Sequence, residues 1–112
     1  MYFDRDGKPL TLWQWAALME SGKDRHVADD MVGLVRVSTV WLGLNHNWGL
    51  GPPHIFETMV FGGTMDEHQW RYPSEAAALA GHDQVVTMVR EAEERLHGTL
   101  ADIKYYLDAQ KP

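Results

Sequence analysis

The sequence predicts an α+β fold: a small antiparallel sheet of three or four strands, an N-terminal helix, and a long C-terminal helix packed on one face. Three observations predict it. Two apolar runs, Val37–Leu44 and Ile55–Phe61, flank a connection built from Asn, Gly and Pro, which is the pattern of a β-hairpin with a long loop. Leu34–Leu44 alternates Val35, Val37, Thr39 and Trp41 against Arg36, Ser38, Val40 and Leu42, so a strand lies there. After Pro73 the apolar residues recur at helical spacing instead.

Taken in order, residues 2–10 begin extended, with a turn at Asp6-Gly7 and with Pro9 holding Lys8 out of the helical region. Thr11 is a good N-cap, and Gln14 three residues later completes a capping-box pattern. The helix runs Leu12–Ser21, with Leu12, Trp15, Ala16 and Met19 on one face and Gly22 as its terminator. Arg25–Asp30 is expected as a short edge strand, where Asp29 and Asp30 discourage further pairing, and Met31–Gly33 turns the chain. Leu34–Leu44 carries apolar residues on both faces, which predicts a central strand with partial cover on each side. Gly43 interrupts its side chains and marks a bulge or a close contact. Asn45–His54 connects to the return strand Ile55–Phe61, stiffened by Pro52-Pro53. Glu67–Tyr72 is a further strand with Trp70 and Tyr72 on one face.

Ser74 is the N-cap of the last helix. Leu79, His82, Val86 and Val89 form its apolar stripe, and Leu96, Leu100, Ile103 and Leu107 continue it. Gly98, followed by the capping pattern of Thr99 and Asp102, is a plausible break. A helix that runs through instead would extend roughly 50 Å, too far for one small domain to cover. A continuous helix therefore implies a partner, most simply a second copy in a homodimer through Leu96, Leu100, Ile103 and Leu107. The chain is read as one domain over residues 1–112, with a C-terminal helical extension at about 96–109.

Composition narrows the function classes. The 112 residues suffice for one core without disulfides. There is no cysteine, so disulfides, thiolate metal sites and thiol nucleophiles are excluded. A net charge of −6 repels phosphate backbones, and the ten Lys and Arg form no patch, so nucleic acid is not an expected partner. No apolar run approaches the roughly 18 residues of a membrane span. The N-terminus does not read as a signal peptide, and the expected location is the cytoplasm.

The segments YFDRDGKPLTLWQWAALME, VSTVWLGLNHNWGLGPPHIFETMVFGG and RYPSEAAALAGH carry a resemblance. Over about Tyr2 to Val86 the chain resembles a group of small uncharacterised proteins encoded by phages and prophages of actinobacteria. The middle segment is the specific part. The resemblance implies a phage gene product acting in a bacterial cytoplasm. It brings no activity and no catalytic residue, and the tail beyond Glu91 departs from it.

Candidate chemistry comes down to a few side chains. Glu57 lies in an apolar strand, where a carboxylate must pair or acquire a raised pKa. Arg36, Arg71 or His46 could pair with it. His82 sits on the apolar stripe of the last helix, the usual position of a hydrogen-bonded core histidine. His46, Glu57, Arg71 and His82 would form a pocket only if hairpin and helix bring them together. No HExxH pair or P-loop is present, and no metal or cofactor is expected. A Ser38–His46–Glu57 set exists only on paper. The loop Asn45–His54 offers Trp48 and Leu50 at a rigid tip beside His54, which suits protein binding. The expectation is therefore a non-enzymatic phage accessory protein that binds a host or phage protein. The alternative is an enzyme or ligand-binding domain with a His/Glu pocket between hairpin and C-terminal helix.

Overall fold

The structure, a computed structural model, describes residues 1–22, 25–45, 47 and 49–110. It is an α+β fold. A two-stranded ribbon, β1 (Tyr2–Phe3) with β2 (Pro9–Leu10), leads into helix α1 (Leu12–Ser21). A four-stranded antiparallel meander follows, β3 (His26–Val32), β4 (Val35–Trp41), β5 (Phe56–Phe61) and β6 (Gln69–Tyr72), in that spatial order. Helix α2 (Glu75–Ala109) closes the chain and lies across one face of the meander.

Local chemistry sets these boundaries. The capping box at α1 is complete: the Gln14 N–H donates to Thr11 Oγ1 at 3.2 Å, and the Thr11 N–H donates to Gln14 Oε1 at 2.9 Å. Gly22 ends the helix with φ +66°. The edge strand is longer than Arg25–Asp30. Met31 and Val32 stay paired, and the turn contracts to Gly33-Leu34, with Val32 opposite Val35. Only two residues connect these strands, and Gly33 supplies the positive φ (+59°) such a turn requires at its first position.

Register divides the sheet into two faces. Val35, Val37, Thr39 and Trp41 of β4 point toward α2, together with Phe56, Thr58 and Val60 of β5 and Trp70 and Tyr72 of β6. Ala78, Val85 and Val89 of α2 are buried against them. Trp41, Phe56 and Ile55 form the second half of the core with Phe3, sealed by Trp15, Leu18 and Met19 of α1. Gly43 is the close contact at that seam. A Cβ there would meet the rings of Trp15 and Trp41 at 2.6 Å, and the backbone has φ +72°. The Trp15 indole N–H donates to the Leu42 carbonyl at 2.9 Å, and the Trp41 indole N–H to the Phe3 carbonyl at 3.1 Å.

The opposite face of β4 has no element over it among the described residues, so the expected cover on both sides is supplied by side chains alone. Arg36, Val40 and Leu42 are half-buried there. Helix α2 does not break at Gly98. Thr99 does not cap a second helix; its hydroxyl donates back to the Arg95 carbonyl at 2.9 Å, inside a continuous helix. The molecule spans 71 × 30 × 19 Å, and its radius of gyration is 18.9 Å, where a compact chain of this length would have about 13 Å. The excess is the free half of α2.

Candidate functional site

Three places gather polar or uncovered side chains. The first is the interface between sheet and helix. β4 and β5 pair Thr39 with Thr58, and both side chains face α2. α2 brings His82 down on them. Its Nδ1 lies 2.7 Å from Thr39 Oγ1, and Thr39 Oγ1 lies 2.5 Å from Thr58 Oγ1. The other ring nitrogen, Nε2, lies 2.7 Å from Asp30 Oδ2 on the edge strand. A carboxylate can only accept, so Nε2 carries the proton toward Asp30. In a neutral ring Nδ1 then accepts from Thr39, which in turn accepts from Thr58. Every donor in this chain finds an acceptor, which is what allows a polar row inside an apolar layer.

A hydroxyl, an imidazole and a carboxylate in that order resemble a nucleophilic triad. Access decides against that chemistry. Thr39 and Thr58 are 0% exposed and His82 is 1% exposed, so no substrate carbonyl reaches the hydroxyl. Beyond Thr58 lies Tyr72, whose ring presses on Gly81. A Cβ at Gly81 would meet the phenol 2.2–2.5 Å away. The Tyr72 hydroxyl is buried with no partner in hydrogen-bond geometry. Burial pushes its pKa up, and the nearby Thr58 hydroxyl offsets only part of the rise.

The second place is the uncovered face of the sheet. Glu57 alternates with Thr58 and therefore points away from α2. Arg71, opposite it on β6, donates from Nε to Glu57 Oε2 at 3.1 Å. Arg36 grips both oxygens of Asp29 at 2.7–3.2 Å, and this holds the Asp29 carboxyl below its ordinary pKa. A shallow hollow of about 260 Å³ opens here, lined in part by His26, Ser38, Glu57 and Met59. Glu57 and Arg71 thus meet on one face while His82 is sealed on the other. The pocket expected between hairpin and helix does not unite them. Ser38, at 6% exposure, shares the face of Glu57 and points away from the His82 row.

The loop after β4 is organised by two asparagines whose part the sequence reading missed. Asn45 Oδ1 accepts from the backbone N–H groups of Asn47 and His54, and Asn47 bridges Gly49 and Pro52. Asn two residues before the group it bonds is the available sequence signal. Leu50 stands fully exposed at the tip and His54 is half-buried. His46 and Trp48, expected as a candidate base and a binding aromatic, lie outside the described residues. Among the described residues no three His, Asp or Glu side chains converge to hold a metal ion.

The third place is the free half of α2. Val89 is the last fully buried residue of the helix. Beyond it Leu100, Ile103 and Leu107 are 50–57% exposed, and Tyr105 and Tyr106 more so. Where the helix leaves the sheet, a hollow of about 450 Å³ opens between Arg90, Glu93, Glu94 and His97 and the β3–β4 turn. Leu34, at that turn, is 96% exposed. Among the described residues no helix is long and apolar enough to cross a membrane. No protein-family model, no curated protein and no solved structure matches this chain.

Proposed function

We propose that this chain is a small phage-encoded accessory protein that works without catalysis, by binding another protein through the free half of α2. One observation carries the reading. Leu96, Leu100, Ile103 and Leu107 continue the stripe that packs on the sheet, yet beyond the partly buried Leu96 the sheet has ended beneath them. A stripe at heptad spacing on a projecting helix is a partner-binding face. The phage origin and the bacterial cytoplasm rest on the sequence resemblance alone.

Energetics permit an occupied stripe. A helix of about 15 residues without tertiary contacts is marginal in water. Covering a half-exposed Leu or Ile contributes about 1 kcal/mol. Leu100, Ile103 and Leu107, met by a similar stripe on a partner, supply about 6 kcal/mol, within the range that association costs. Binding of this kind is reversible and sensitive to single substitutions. The Thr–His–Asp row and the Glu57–Arg71 pair are read as structural, since the hydroxyls and imidazole of the first are sealed and the carboxylate of the second is held in an ion pair.

The test is affinity capture from lysate of the host bacterium, with the wild type and a Leu100→Asp, Ile103→Asp double variant. A specific protein retained by the wild type and lost from the folded variant is expected. Identical captures by both, from a wild type that is itself a monomer, would overturn the reading.

A further inference from the structure

Resting on that reading, we infer that the occupant of the α2 stripe is a second copy of this chain, paired antiparallel about a two-fold axis between Ala101 and Asp102. The spacing of Leu96, Leu100, Ile103 and Leu107 is four, three, four, which reads the same from either end. Under a two-fold axis Leu96 meets the partner's Leu107, and Leu100 meets the partner's Ile103. Those are the mixed layers that an antiparallel helix pair packs.

The length of the projection fits the same register. The partner's helix would end level with Glu94, just where α2 meets the sheet. The overlap covers the free half of α2, about 24 Å. Its last turn would abut the β3–β4 turn at the mouth of the 450 Å³ hollow, where Leu34 is exposed. A helix pair of this length covers on the order of 1,000 Å² in total, the lower bound for a specific interface. Contact with the exposed Leu34 at each end would add to it.

Charge points the same way, though less strongly. The last turn of α2 carries no basic residue, so no side chain within that turn offsets its negative helix end. Arg90 stands at the wall the partner's helix end approaches, but Glu93 and Glu94 beside it cancel its attraction, so this contact is not what charge contributes. Antiparallel pairing also sets two domains of net charge −6 at opposite ends, whereas parallel pairing would set them side by side.

The absence of cysteine makes the test direct. Light scattering of the wild type at high micromolar concentration should give the dimer mass. Leu100→Asp should weaken association by at least about 100-fold, because it buries carboxylates without partners. An oxidised equimolar mixture of Leu96→Cys and Leu107→Cys chains should form a mixed disulfide dimer, while each variant alone should not. Both positions lie beyond the buried core, so both variants keep the fold. A disulfide formed by Leu96→Cys alone would overturn the antiparallel arrangement. A wild-type monomer would overturn the second copy as occupant. Stripe-dependent capture of another protein by that monomer would leave the binding reading intact and remove only this inference.

Discussion

At the scale of residues, the polar row under α2 is ordered from the surface inward. Asp30 has a side chain 56% exposed, so it keeps water on one side while it accepts from His82. His82, Thr39 and Thr58 carry that polarity inward without an unmatched group. Tyr72 is where the matching stops. Its ring is needed to fill the space over Gly81, but its hydroxyl is desolvated with only a poorly formed approach to Thr58 in return. Tyr72→Phe should therefore stabilise the fold by about 1 kcal/mol, measured by denaturant unfolding. The sign of the pH effect follows from the raised phenol. An unfolded tyrosine titrates near 10, and the folded one higher. The contribution of the neutral phenol is complete below pH 10 and is lost as pH rises through the folded value. Tyr72→Phe should remove that part of the alkaline loss. An unchanged alkaline slope would show that Tyr72 is solvated. The sequence could place Thr39 and Thr58 on strands but not opposite each other, because register depends on the loop between them. It could place Glu57 among apolar neighbours, but which face its strand parity met depended on where α2 would lie.

At the scale of elements, α2 is one helix performing two tasks. Up to Val89 it is held by the sheet, and beyond Leu96 only by its own hydrogen bonds and whatever covers it. Gly98 lies in the second part, and a Cβ there meets nothing within 4 Å. Gly98→Ala should raise helix content and stabilise the free half by up to about 1 kcal/mol, read by circular dichroism. A loss of helicity would mean that Gly98 is a hinge rather than a tolerated interior glycine. Most elements were legible in the sequence for local reasons. Thr11, Gln14 and Gly22 mark the ends of α1 through bonds between neighbours, and β4 and β5 announce themselves by alternation. The continuity through Gly98 was not legible, since a single glycine and a following Thr read equally as a break. The stripe spacing from Leu96 to Leu107 was the better guide, because it stays in phase with Val89.

At the scale of the molecule, shape and surface argue together. A body 71 Å long and 19 Å thin leaves an apolar stripe far from its own core. Such an arrangement costs more than it returns unless something covers the stripe. The fold class and the long helix could be read from the sequence, whereas the distance between the stripe and the rest of the domain needed the structure. The most direct measurement is hydrogen exchange of the backbone amides from Leu96 to Leu107 in the purified protein. A covered stripe predicts protection in the wild type at micromolar concentration, lost on dilution and in the Leu100→Asp, Ile103→Asp variant while the β4 and β5 amides stay protected. Exchange of those amides at the rate of a free peptide, in a wild type whose sheet remains protected at every concentration, would contradict the pairing of the stripe with a second copy.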